Sequence, residues 1–245
     1  MNIESALDKI AELLGKSQRV LFITGAGISA DSGLPTYRGV GGLYNDESTE
    51  EGLPIEQALS GEVFAVRPDI TWKYLAQIER TCRGAQPNAA HLAIATLQRL
   101  IPHVTVFTQN VDGLHRKAAS NNLIEIHGNL QELICTECDF QEMVTDLSGH
   151  EMPPHCPVCS SVLRPRVVLF GEALPEAAMA RFMDAMEEGF DLVFTIGTSG
   201  VFPYIAEPLL NAGARGCVTV EINPDSTALS NDVSHHLAGS AREVL

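Results

Sequence analysis

The chain has 245 residues, 45% of them hydrophobic, enough to bury one large core together with a smaller insert. Its 31 acidic against 16 basic residues give a net charge of −15, which disfavours a nucleic-acid phosphate surface, since that needs a basic stripe, and is compatible with Lys- or Arg-rich polypeptide partners. No run approaches the roughly 20 apolar residues of a membrane span and the start carries no secretory apolar region, so a cytoplasmic protein with no membrane partner is expected, with a monomer as the expected state.

In chain order, Ile3, Ala6, Leu7, Ile10, Leu13 and Leu14 recur at helical spacing among Glu4, Asp8 and Glu12, which predicts an amphipathic helix ended by Gly15. Val20 to Thr24 is an apolar run that reads as a buried parallel strand. Behind it, Gly25 to Gly39 is built to let the backbone close around a phosphorylated ligand, with Gly25, Gly27 and Ala30 at the three small positions of the dinucleotide fingerprint. Small residues there permit a sharp turn and aim backbone N–H groups at an anion, although a plain tight turn would use the same residues. A hydride-transferring dehydrogenase also needs an acidic residue about 20 positions on, at the end of a second strand. Only Asp46 and Glu47 stand there, in a polar stretch that reads as loop, which disfavours that class.

Further β-branched, apolar runs predict strands over Val104 to Thr108, Leu123 to Ile126, Val167 to Phe170, Leu192 to Ile196 and Val218 to Ile222, alternating with helices as in a parallel α/β sheet. Each run is followed by polar or glycine residues: Gln109-Asn110-Val111-Asp112, His127-Gly128, Gly171-Glu172, Gly197-Thr198-Ser199 and Asn223. Ligands of open α/β sheets bind outside the C-terminal strand ends, so these segments and the glycine loop aim at one site. His127, with Gly128 leaving room beside it and an ordinary pKa of about 6.5, suits general-base work; His91 and His115 are expected to cap or pack against helices.

Cys135 and Cys138 form one C-x2-C pair and Cys156 and Cys159 a second, with 17 residues between the pairs, the spacing of a four-thiolate zinc ribbon. Four protein ligands leave no open position, so the metal is expected to be structural, closing a module too small to hold itself together. Disulfides or an iron–sulfur centre are the competing uses, and a cytoplasmic setting disfavours disulfides. Cys82 and Cys217 read as a helix residue and a buried strand residue.

Taken together, Gly25 to Gly39, Thr108-Gln109-Asn110-Val111-Asp112-Gly113-Leu114-His115, His127-Gly128, the four cysteines, Arg164 to Glu172, Gly197-Thr198-Ser199 and Ile222-Asn223 resemble the sirtuins of bacterial type, NAD-dependent protein lysine deacylases. The resemblance covers nearly the whole chain. It implies an α/β fold: a Rossmann-like domain over 1–42, 80–130 and 165–245, with an inserted small domain made of a helical part, 43–79, and a zinc-ribbon part, 131–164. It further implies that Gly25, Ala26, Gly27, Ser29, Asp31, Pro35, Thr36, Tyr37 and Arg38 cover the pyrophosphate and ribose of NAD. Gln109, Asn110, Val111, Asp112 and His127 would hold the nicotinamide ribose and carboxamide, and Gly197, Thr198, Ser199, Asn223, Pro224, Asp225 and Ala241 the adenosine side. Asn110 and Asp112 are implied to act with His127 in catalysis: the acyl-lysine oxygen attacks the ribose carbon that loses nicotinamide, and His127 serves as base toward a ribose hydroxyl. Val168, Leu169, Phe170, Gly171 and Glu172 would pair with an extended peptide.

Two departures from the resemblance carry expectations. Succinyl-removing relatives carry a tyrosine and, three residues later, an arginine in the acyl pocket; those positions fall here on Leu75 and Ile78, or with a one-residue slip on Tyr74 and Gln77, with no cation in either register. Acetyl or neutral acyl groups are therefore expected over succinyl. The run from Gly197 to Tyr204 is one residue short before Pro203, which alters the adenosine-side loop. Mono-ADP-ribosyl transfer and a non-catalytic NAD or ADP-ribose sensor are the alternative functions.

Overall fold

The computed structural model describes residues 3–36 and 49–245. Its strands are β1 (Arg19–Thr24), β2 (His103–Thr108), β3 (Leu123–Glu125), β4 (Gly128–Cys135), β5 (Gln141–Met143), β6 (Leu163–Val167), β7 (Leu192–Ile196), β8 (Val218–Ile222) and β9 (His235–Leu237). The helices are α1 (Ile3–Lys16), α2 (Ile55–Ala58), α3 (Gly61–Val66), α4 (Pro68–Cys82), α5 (Ala89–Leu100), α6 (Leu114–Lys117), α7 (Glu176–Glu188), α8 (Pro203–Ala214) and α9 (Ala241–Val244), with a 3-10 turn over Ala26–Ser32.

Six strands form one parallel sheet in the order β3-β2-β1-β7-β8-β9. Helices cover both of its faces, so its central strands read as continuous apolar runs. On one face Val20, Phe22, Val106, Phe194 and Val220 pack against Ala6 and Ile10 of α1 and Ile94 of α5. The other face sets Leu21, Ile23, Phe107 and Val193 against Phe182 of α7 and Ile205 and Leu209 of α8. Phe22 stacks on Phe194 at 4.8 Å and Phe107 on Phe182 at 3.9 Å, and each such fully buried ring contributes about 1.5–3 kcal/mol from apolar burial. This is the Rossmann-like sheet expected from the alternating runs. No helix among the described residues is long and apolar enough to cross a membrane.

A second, three-stranded antiparallel sheet, β5-β4-β6, has its own core. Trp72, Tyr74 and Leu75 of α4 pack there against Leu130, Leu133 and Leu163, with Cys135 and Cys156 at its margin. The Trp72 indole N–H donates to the Leu163 carbonyl at 2.8 Å, which joins α4 to β6.

Four expectations are corrected. The run Val167 to Phe170 is no strand of the parallel sheet: only Val167 belongs to a strand, β6, and that strand is antiparallel. The rest is held sideways, with the Val168 N–H on the His127 carbonyl at 2.9 Å and the Phe170 N–H on the Leu59 carbonyl at 3.0 Å. A short apolar run reads the same in either setting, since periodicity does not report the pairing partner. Helix α1 continues through Gly15 to Lys16, β3 stops at Glu125 rather than Ile126, and Cys217 lies one residue before β8.

The join between the two sheets requires glycine at residue 128. Gly128 has φ +81°, and a methyl group there would lie 1.8 Å from the Arg166 carbonyl oxygen across the β4–β6 pair. Gly128→Ala should therefore cost about 3 kcal/mol or more, combining left-handed strain with a backbone clash. Chemical denaturation of the variant checks this, and an unchanged midpoint would refute it.

Candidate active site

Strand order places a crevice where the chain departs in opposite directions: β2 and β3 lie to one side of β1, β7, β8 and β9 to the other. Ligands of such sheets bind at this switch point, outside the C-terminal strand ends. Here the Gly25 N–H donates to the Ile196 carbonyl at 3.0 Å and the Gly27 N–H to the Gly197 carbonyl at 2.9 Å. A methyl group on Gly27 would stand 2.5 Å from the Gly197 Cα, and Gly197 itself has φ +58°. The two loops touch backbone to backbone, which only glycine allows.

Around this seam the predicted polar residues form one buried network. The Asn110 side-chain amide donates to the Gly25 carbonyl at 3.1 Å and to Ser29 Oγ at 3.2 Å, and the Ser29 hydroxyl donates to Asp112 Oδ2 at 2.7 Å. Asp112 Oδ1 accepts the Leu114 N–H at 2.8 Å. Burial raises the Asp112 pKa against the opposing pull of the Leu114 and Ser29 hydrogen bonds. Gln109 ties the loops together, its Nε2 donating to Thr198 Oγ1 at 2.9 Å. Thr198 is thus a strut between loops, whereas Ser199 beside it is exposed.

His127 follows β3 at the rim of the crevice. Its Nδ1 lies 2.9 Å from the Gln109 carbonyl and its Nε2 2.7 Å from the Tyr204 hydroxyl. Burial lowers its pKa, partly offset by the Gln109 carbonyl, so the imidazole is neutral at pH 7. His91 and His115 form a buried edge-to-face pair at 4.9 Å, and burial depresses them to about 4 and about 3. Neither caps its helix: Asn88 caps α5, and Gly113 stands at the start of α6.

A cavity opens beside the network. Ala26, Ser29, Leu34 and Pro35 line it from the glycine loop, Asn110 and Asp112 from the segment after β2, and Ile78, Thr81 and Cys82 from α4. Ile78 thus faces the site, whereas Leu75, assigned to the same acyl pocket, is buried in the core of the smaller sheet. Tyr74 hydrogen-bonds to Glu51. The adenosine-side residues divide similarly. Asn223 Nδ2 donates to the Thr198 carbonyl at 3.2 Å, Pro224 and Asp225 are exposed, and the Ala241 side chain lies in the core, which leaves its backbone as the part able to meet a ligand. Asp31 accepts the Arg242 N–H at 3.3 Å and so joins the glycine loop to α9. Val111 packs toward the smaller sheet, and Thr36 ends the first described segment. Tyr37 and Arg38, like Asp46 and Glu47, lie outside the described residues.

Amides of Val168, Leu169, Phe170 and Glu172 all donate within the protein, Leu169 to the Glu172 carboxylate at 2.9 Å. Glu172 also forms a two-pronged ion pair with Arg164, at 2.6 and 2.9 Å. Burial raises its pKa, but Arg164 and the Leu169 amide outweigh that and hold it low. The Gly171 amide donates to no group among the described residues, so only part of this segment is open for a peptide backbone.

The four predicted cysteines converge: the sulfurs of Cys135, Cys138, Cys156 and Cys159 all lie within 4.8 Å of one another, and none is in a disulfide. Tetrahedral zinc with Zn–S bonds of about 2.3 Å places its sulfurs just under about 4 Å apart. Separations of 3.4 Å for Cys135–Cys159 and 3.6 Å for Cys138–Cys156 fit that arrangement, and the four thiolates fit a structural zinc site. Sequence reasoning missed Tyr204, Phe202 and Thr81 as site residues. The shortened run before Pro203 was the only signal for the first two.

The sequence profile of the Sir2 family matches residues 25–203. A curated relative, NAD-dependent protein deacylase 2 of Pseudomonas aeruginosa, is 48% identical over 248 residues, covering 100% of this chain and 96% of its own. Among solved structures, a Sir2 homolog–NAD complex superposes with a TM-score of 0.86 at 38% identity, covering 97% of this chain and 90% of that one. A Sir2–p53 peptide–NAD+ complex does so with a TM-score of 0.82 at 29% identity, covering 97% and 94%. With a glycine seam at the switch point, a histidine at its rim and four clustered thiols on the smaller sheet, the chain belongs to the Sir2 family.

Proposed function

We propose that this protein is an NAD-dependent protein lysine deacylase that transfers the acyl group to ADP-ribose and releases nicotinamide. The observation that carries this reading is the setting of His127, a neutral imidazole oriented by the Gln109 carbonyl beside the Asn110–Ser29–Asp112 network. A neutral base at that point can accept a proton from a ribose hydroxyl, while Asn110 and Asp112 orient the sugar and exclude water. NAD supplies the electrophilic ribose carbon. The side-chain-free seam of Gly25, Gly27 and Gly197 leaves the backbone open to its pyrophosphate. In this reading the NAD contacts are Gly25, Ala26, Gly27, Ser29, Asp31, Pro35, Thr36, Tyr37 and Arg38, with Gln109, Asn110, Val111, Asp112 and His127, and Gly197, Thr198, Ser199, Asn223, Pro224, Asp225 and Ala241. The relatives' names and the peptide and NAD complexes support it. Free thiols suit a reducing cytoplasm. The shared core of α4 with β4 and β6 supports treating 43–79 and 131–164 as one small domain inserted in the larger one.

Incubation with NAD and a panel of acyl-lysine peptides tests this, reading nicotinamide release together with peptide mass. Nicotinamide release that requires the acyl peptide is expected; release with ADP-ribose attached to protein would favour ADP-ribosyl transfer, and no release a sensor. Among the described residues, the cavity lining offers no cation to a succinyl carboxylate. Acetyl peptide should therefore be turned over about 100-fold faster than succinyl, the consequence of an unpaired buried charge. Comparable rates would overturn that preference.

A further inference from the structure

Tyr204 lies 77 positions from His127 in sequence, yet its phenol oxygen stands 2.7 Å from Nε2 of that ring. The direction of the bond follows from the other nitrogen. Nδ1 faces the Gln109 carbonyl, which only accepts, so Nδ1 carries the ring proton. Nε2 of the neutral ring is then a lone pair, and the Tyr204 hydroxyl donates to it. Tyr204 is the second residue of α8, after Pro203, and its ring stacks on Phe202 at 5.4 Å. Both aromatic rings stand edge-on to His127, at 6.4 and 6.0 Å.

We propose that Tyr204 is a positioning residue for His127: its hydroxyl holds the Nε2 lone pair in the ligand-free protein and yields it to the hydroxyl of the entering ribose. The proposal rests on the deacylase reading for the identity of that ribose. In the step itself the ribose O–H bond breaks, the proton passes to Nε2, and the oxygen keeps the electron pair for its attack. Until then the phenol occupies the place of the substrate hydroxyl and keeps water from the base, while the Gln109 carbonyl fixes the tautomer. This partner opens α8 directly behind the loop where the run before Pro203 is short, so the shortening bears on the base as well as on the adenosine side. Carboxylates on adjoining elements are held elsewhere: Glu125 by Arg116 and Asn129, Asp112 by Ser29 and Leu114, and Glu172 by Arg164. Among the described residues, the Tyr204 hydroxyl is the side-chain group hydrogen-bonded to this ring, beside the Gln109 carbonyl.

A hydrogen bond donated to the neutral ring disfavours protonation, so its loss must raise the His127 pKa. In Tyr204→Phe, NMR titration of the His127 ring in the ligand-free protein should move up by about half to one pH unit. The acid limb of kcat/KM should move in the same direction. Phe202→Leu alters the ring packing but keeps the hydrogen bond, and its titration should match that of the unaltered protein. An unchanged midpoint in Tyr204→Phe, or an equal shift in both variants, would overturn the proposal. The titration needs no turnover, so a protein inactive on every acyl peptide would defeat the deacylase reading while the Tyr204–His127 contact was still measured.

Discussion

Replacing His127 with alanine lowers the rate of deacylation by about 10²–10⁴-fold, the usual contribution of a positioned general base. The fold should survive, because the ring is half-buried at the crevice rim and its two partners, the Gln109 carbonyl and the Tyr204 hydroxyl, are only partly buried. A thermal melt beside the rate measurement separates the two effects; full activity in the variant would remove His127 from the chemistry. The sign of the pH dependence follows from the same residue. The base works only when neutral, and burial lowers its pKa below the ordinary 6.5. Activity should therefore persist through pH 6.5 and fall only at lower pH, as the ring becomes protonated.

Loss of metal from the cysteine cluster should have the largest effect on stability. The strands it closes contain only eight, three and five residues, and Cys135 and Cys156 are themselves nearly buried in the core they stabilise. Structural zinc contributes about 10–16 kcal/mol of apparent binding energy to comparably small peptides. Cys156→Ala, or a strong chelator, is expected to abolish the metal content and disorder the smaller sheet while the six-stranded sheet keeps its secondary structure. The chain has a single tryptophan, Trp72, and it lies in this core, so its emission reports directly on the module. A red shift on metal removal is expected. Unchanged emission from metal-free protein would show that the module holds without the ion.

Much of the sheet was legible because its chemistry is local. Val20 to Thr24, Val104 to Thr108, Leu192 to Ile196 and Val218 to Ile222 are buried on both faces and carry an unbroken apolar signature. The cysteines were legible for a similar reason, since two short knuckles encode most of a tetrahedral site. Val167 to Phe170 failed as a sheet strand because its apolar residues serve a different core, against α2 and α3. Leu75 and Ile78, three residues apart on α4, both pack on the core of the smaller sheet, and Ile78 also lines the cavity. Spacing gives the face of a helix but not its rotation. Tyr204 was least visible of all, since nothing near it in sequence names a histidine 77 positions away.

Strand β4 begins at Gly128, immediately after His127, and ends at Cys135, a thiol of the cysteine cluster. Its pairing with β6 shifts register between Asn129 and Leu133, so these eight positions join the proton acceptor to the cysteine cluster through an irregular strand. Slack at the metal end would reach the imidazole through Gly128 and through the Val168 amide that grips the His127 carbonyl. An ion that touches no reactant would thereby govern how sharply the histidine is aimed, and gradual metal depletion would blunt turnover before the main body of the protein began to melt.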